Sequence, residues 1–303
     1  MKTARPLVPF FKTVQLSILA LLGGFSFITA KPSPTTVAFS EISPHYKREM
    51  LPSGHYRPET YAFSEGNLID HSGKDTSLRK LNFGEIGGLL AKALLEADYV
   101  PTQNLIDTQL LIVVSWGKTT LAITGMGDLE VDNVADAMND LVELEKMGGP
   151  DGTSLQAEYE NKLEDMIAMQ EMAQEARNRA NADNATLLGY DQALRQAAEM
   201  ANSFAPMLSH RDELLSELES PRYFVVLQVY DFQTLWKEKK RELLWTSRFS
   251  IRAKGHQFDE ELLAMAMASC AEFGQASKSL QRNSSDARVE LGELEYLGVV
   301  EEE

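Results

Sequence analysis

Residues 110–120 read LLIVVSWGKTT, an apolar run that closes on Gly-Lys-Thr. As the end of a phosphate-binding loop, this stretch would signal a nucleotide-binding domain. Such a loop requires Gly-x-x-x-x-Gly-Lys-[Ser/Thr], with the first Gly opening a turn whose amides wrap the phosphates. Five positions before Gly117 stands Ile112, in the middle of the apolar run, so there are no residues from which to build the loop. Gly125-Met126-Gly127 is too sparse for a dinucleotide fingerprint. The stretch is therefore read as a strand apolar on both sides, central in its sheet, with Lys118-Thr119-Thr120 as its polar end.

Upstream, Tyr61-Ala62-Phe63 is read as a short first strand and GNLIDHSGKDTS (66–77) as a loop. Asn82 is placed to cap a helix, with Glu85 three positions on to return the bond. That helix sets Phe83, Ile86, Leu90, Leu94 and Ala97 on one face. Downstream, RYFVVLQVY (222–230) is apolar on both faces and also reads as central. In LLWTSRFSIR (243–252), Leu243, Trp245, Phe249 and Ile251 alternate with polar residues. The charged KEKKRE between these strands reads as a turn, which makes the pair an antiparallel hairpin. Its Lys237, Lys239, Lys240 and Arg241 interleave with Glu238 and Glu242, as at a solvated tip.

The interval between these flanks is helical in pattern, and it carries most of the charge. The whole chain has a formal charge of −16, yet residues 121–220 alone hold 21 acidic against six basic side chains. A block of that sign repels phosphate backbones and anionic surfaces, so nucleic acid is excluded as a partner class. Methionines at helical spacing (Met166, Met169) read as filler in a helix–helix seam. The expected fold class is α+β: a small, mainly antiparallel sheet with packed helices, interrupted by a helical insertion. Its parts are a signal peptide at 1–30, a Pro/Ser-rich linker at 31–58, and a sheet domain from 59–120 plus 221–276. The acidic helical insertion occupies 121–220 and an acidic tail 277–303.

The first thirty residues have a basic start, an apolar core from Val14 to Phe27 and Ile28-Thr29-Ala30 as a small-residue cleavage site. The core is shorter than a membrane-spanning helix requires and contains Gly23-Gly24. The expectation is cleavage after Ala30 and a periplasmic or secreted chain. No disulfide supports it, because Cys270 is the single cysteine. With no basic group within a helical turn, Cys270 reads as a small buried apolar residue and not as a nucleophile.

Catalytic signals are lacking. His45, His55, His71, His210 and His256 are scattered without ligand spacing, and there is no Gly-x-Ser-x-Gly elbow. No catalytic, cofactor-binding or metal-binding residue is assigned, and no cofactor is expected. Two glycosylation sequons, at Asn184 and Asn283, matter only in a host that modifies them.

The flanks carry a resemblance. YAF (61–63), LLEADYVP (94–101), LLIVVSWG (110–117), VYDF (229–232) and RELLWTSRFSI (241–251) are similar to an uncharacterised family of exported bacterial domains, many of them lipoproteins. Asp231 and Leu244-Trp245 fall on its hairpin positions, whereas the lipid-bearing Cys is missing and Asp107-Thr-Gln replaces the acid before the apolar strand. The resemblance implies an envelope location and an α+β sheet domain, and it transfers no catalytic residue. The resulting expectation is a non-catalytic exported binding or scaffold module whose acidic helical arm meets an envelope protein partner. The alternative is an envelope hydrolase whose carboxylates converge only in the folded chain.

Overall fold

The computed structural model describes residues 35–70, 73–120, 152–201 and 208–284, with isolated helical positions at 139, 142, 143 and 146. The predicted signal segment, the start of the insertion and the final acidic residues lie outside the described residues. Seven strands form one sheet in the order β3-β2-β4-β5-β6-β1-β7. They are β1 (Thr35–Ile42), β2 (Glu59–Asp70), β3 (Tyr99–Pro101), β4 (Leu110–Lys118), β5 (Arg222–Asp231), β6 (Leu243–Arg252) and β7 (Gln281–Ser284). The α+β class holds, but the sheet is a mixed one of seven strands, not the small, mainly antiparallel sheet expected. β2 runs parallel to both β3 and β4, while β4–β5, β5–β6, β6–β1 and β1–β7 are antiparallel.

Both apolar strands are central, as their two-sided hydrophobicity predicts. β5 shows the period of two most clearly. Tyr223, Val225, Leu227 and Val229 face one core, whereas Phe224 and Val226 face another. The first core is completed by α1 (Phe83–Glu96) and α6 (Phe258–Ser269), through Ile86, Leu90 and Leu94 on one helix and Phe258, Leu262 and Met265 on the other. The capping box at the start of α1 is present. The Asn82 side chain accepts from the Glu85 amide at 3.0 Å, and the Asn82 amide donates to Glu85 Oε2 at 2.8 Å.

The insertion contributes α2 (Gly152–Leu188), α3 (Asp191–Ala201) and α4 (Leu208–Leu218). Ala185 and Leu188 of α2, Ala197 of α3, and Leu214 and Leu218 of α4 pack on Val37 and Phe39 of β1 and on Phe224 and Val226 of β5. The C-terminal half of the insertion is therefore one layer of the core and not a separable arm. The break between α2 and α3 falls at Gly189, whose φ of 81° and close approach to the Phe39 ring exclude a side chain.

Several boundaries differ from the sequence reading, among them the loop read at 66–77, whose first five residues belong to β2. The stretch 31–58 is no plain linker: Thr35–Ile42 is a strand paired on both edges. Its Val37-Ala38-Phe39 core was obscured by the surrounding Pro and Ser. The tail segment Gln281–Ser284 pairs with β1; it has no apolar signal because its order comes from backbone hydrogen bonds at the sheet edge. The β5–β6 connection is not a bare turn. Asp231 accepts from the Thr234 amide at 2.6 Å and starts the short helix α5 (Phe232–Glu238), which Lys239 ends in a left-handed conformation. Of the basic side chains expected at a hairpin tip, Lys237 lies in the last turn of this helix and Lys239, Lys240 and Arg241 follow it; Lys239 Nζ donates to the Trp236 carbonyl at 2.9 Å.

Candidate functional site

Lys118, the lysine of the Gly-Lys-Thr motif, is engaged in an internal ion pair. Its Nζ lies 2.8 Å from Asp75 Oδ2, which also accepts from the Tyr223 hydroxyl at 2.7 Å. The other oxygen, Asp75 Oδ1, accepts from the Ser77 amide and hydroxyl at 3.1 and 2.7 Å. Thr119 is equally committed: its hydroxyl accepts from the Arg222 amide at 2.9 Å, and its own amide donates to the Arg222 carbonyl. Gly117 is needed for contact between strands, because a Cβ there would collide with the Ile69 carbonyl of β2. The motif clasps the end of β4 to its neighbours and has no group left for a phosphate.

This clasp predicts an acid dependence. Burial works to raise the Asp75 pKa, but hydrogen bonds from Lys118, Tyr223 and Ser77 outweigh it and hold the carboxyl at about 2, below the usual 3.8. A depressed carboxylate contributes stability above its unfolded pKa and loses that contribution as pH falls through the folded value. Asp75 is thus expected to contribute about 1–2 kcal/mol at neutral pH, allowing for solvent screening, and to lose it between about pH 4 and 2. Urea titrations of the wild type and Asp75→Asn should differ by that amount at pH 7 and converge near pH 2. A constant difference would show that the charge is irrelevant.

The remaining sequence candidates do not assemble into a reaction centre. Cys270 is half-buried, and burial with the nearby Glu96 raises its thiol pKa, the wrong direction for a nucleophile. His256 Nδ1 lies 2.7 Å from Glu261, His55 Nδ1 3.5 Å from Asp98 and His210 Nδ1 3.7 Å from Glu213, three separate pairs. Among the described residues no group of three His, Cys, Asp or Glu could hold a metal ion. Asn184 of the first sequon is buried and donates to the carbonyls of Thr120 and Leu218, which leaves no room for a glycan.

The hydrolase alternative requires two convergent carboxylates, one of them held protonated. Among the described residues one carboxylate has a raised pKa, Glu59, and the cause is burial. Its Oε2 accepts from the Tyr46 hydroxyl at 2.5 Å and lies 3.5 Å from Arg48 Nε. Arg48 itself is held between the Tyr56 and Tyr99 rings, 4.3 and 4.1 Å from their centroids, beside a cavity of about 470 Å³. Tyr46, Arg48 and Tyr56 come from the stretch read as linker, where no periodic pattern marks them. The arginine and the glutamate are spent on each other and on the aromatic rings.

The described surface with the most unspent chemistry is α2. At 1.5 Å per residue its 37 residues span about 55 Å. Among its described residues the anchoring lies toward its end, by Ala185 and Leu188 in the core and by the turn to Tyr190, whose hydroxyl donates to Glu217 at 2.6 Å. Between 161 and 178 every described side chain is exposed except Ala173 and Ala176, which are half-exposed. That surface presents Glu164, Asp165, Glu171 and Glu175 together with Ile167, Met169 and Met172, which are 48%, 41% and 54% exposed. Met169 therefore does not fill the helix seam expected of it.

No family model matches the chain, and no curated protein matches it.

Proposed function

We propose that the chain is an exported, non-catalytic binding module that presents the acidic face of α2 to a cationic protein surface. The observation that carries this reading is the exposure of α2 between 161 and 178. Helices in water draw most of their stability from packing an apolar face, and here carboxylates and apolar side chains lie open together on one helix. Glu175 and Arg179, 2.6 Å apart, add only a surface pair's support. The excess negative charge of residues 121–220 favours encounter with a basic partner. The layout of residues 1–30 and the resemblance of the flanks to exported domains support an envelope location. Among the described residues no helix is long and apolar enough to cross a membrane.

Deleting the insertion would strip Ala185, Leu188, Leu214 and Leu218 from the core, so the test uses surface substitutions in the full-length chain. A partner captured from envelope extracts by the wild type should bind at least about tenfold more weakly to the variant Glu164→Gln, Asp165→Asn, Glu171→Gln, Glu175→Gln. Its binding should also weaken as salt rises from 0.05 to about 0.5 M. Equal capture by both proteins, or indifference to salt, counts against the arm. N-terminal mass spectrometry of the exported chain should give a start at Lys31.

A further inference from the structure

The insertion holds six basic side chains among residues 121–220, and three of them line a single cavity of about 500 Å³. Arg177 comes from α2, Arg195 from α3 and Arg211 from α4, so three separate helices each contribute an exposed arginine to its lining. The same cavity is lined by the amides of Asn178 and Asn181 and floored by Ala185 and Leu194, which belong to or pack on the second core. Its volume lies in the range of small-molecule sites, about 300–1,000 Å³.

The charge balance gives the cavity its chemistry. Two acids also line it, and each has other engagements. Glu219 Oε1 accepts from Asn181 at 3.3 Å and sits 4.0 Å from Arg177 Nε, while Asp191 Oδ1 accepts from the Thr186 hydroxyl at 3.4 Å. Among the described residues neither Arg195 nor Arg211 makes an ion pair, although residues 121–220 contain 21 acidic side chains. Arginines that line one cavity present like charge to it, and an anion bound there is attracted by all of them. Arginine is the side chain best suited to the task, because its planar fork gives two parallel hydrogen bonds to a carboxylate or phosphate.

We propose that this cavity binds a small organic polyanion, a molecule with at least two carboxylate or phosphate groups and a short apolar part. The anionic groups lie against Arg177, Arg195 and Arg211, Asn178 donates from its side-chain amide, and the apolar part rests on Ala185 and Leu194. The cavity shares Arg177 and Asn178 with the exposed stretch of α2, but its arginines differ in sign from the carboxylates offered there.

The test is isothermal titration of the full-length chain with citrate and, separately, with pyrophosphate. The two probes distinguish a carboxylate from a phosphate ligand. At least one is expected to give saturable heat with a submillimolar Kd, and Arg195→Gln and Arg211→Gln are each expected to weaken it at least about fivefold. Arg179→Gln, on α2 and paired with Glu175 outside the cavity, serves as the control and should leave binding unchanged. Circular dichroism melts verify that all three variants are folded. Absence of saturable binding for both probes overturns the proposal. So does equal weakening by Arg179→Gln, which would reduce the effect to general charge, or undiminished binding by Arg195→Gln and Arg211→Gln.

Discussion

Trp245→Ala is expected to cost about 3–5 kcal/mol, read as a lowered midpoint in urea denaturation. Trp245 of β6 is 1% exposed at the centre of the first core. Its ring stacks on Phe273 at 6.2 Å and lies 5.6 Å from Tyr99, so it joins the turn after α6 to the start of β3. Its indole Nε1 has no hydrogen-bond partner; the loss on truncation is therefore one of packing and of the cavity left behind. The same change at Trp236, which is 42% exposed on α5, should stay within about 0.5 kcal/mol. A cost below about 2 kcal/mol for Trp245→Ala would mean that the aromatic stack collapses into the space and contributes little.

Arg48→Ala should be comparably damaging, about 3–5 kcal/mol, because it breaks a buried ion pair from one side. The Arg48 side chain is 2% exposed and lies against the Tyr56 and Tyr99 rings, near Glu59. It holds the chain between β1 and β2 to the sheet, and its Nη2 donates to the Asp98 carbonyl at 3.4 Å. Without it, Glu59 keeps only the Tyr46 hydroxyl among these partners. Burial already raises the Glu59 pKa, and loss of the neighbouring cation raises it further. A carboxyl raised in the folded state is best tolerated below its unfolded pKa and costs stability as pH rises through the folded value. The deficit of Arg48→Ala relative to the wild type should therefore be smaller at pH 5 than at pH 8. Arg48→Lys keeps the charge but not the planar stack between the rings, and should fall between the two. Combined with Trp245→Ala the losses should be less than additive, since both side chains pack on Tyr99. A deficit independent of pH would separate Arg48 from Glu59 and leave only its ring packing.

Much of the fold was legible wherever a single element decides its own form. The two-sided apolar runs at 110–116 and 222–230 could only be buried strands, and both are central. Asn82 and Glu85 announce the start of α1 because a cap is a bond between residues three apart. The rejection of a phosphate-binding loop stands for a stronger reason than spacing: Lys118 and Thr119 are committed to Asp75 and Arg222. Elements defined by pairing were less legible. β7 has no apolar residue, and β1 was hidden among prolines and serines; both are strands because a neighbouring backbone meets theirs. The parallel β2–β4 pairing depends on where α1 packs, which no local pattern records.

The sites divide in the same way. Composition alone places the excess negative charge in residues 121–220, and motif spacing alone argues against nucleotide and metal chemistry there and elsewhere. Composition could not tell which part of that block is core and which is surface. Ala185, Leu188, Leu214 and Leu218 are buried on β1 and β5, while Glu164 to Glu175 stand in water on the same insertion. Nor could it show that Arg177, Arg195 and Arg211, separated by 18 and 16 positions, share one cavity. Local hydrogen bonds and periodicity act over a few residues, so the sequence by itself determined α1, the helical character of the insertion, the central strands and the sign of the charge. Convergence of distant side chains depends on how helices stack and strands order, and that was decided only by the tertiary structure.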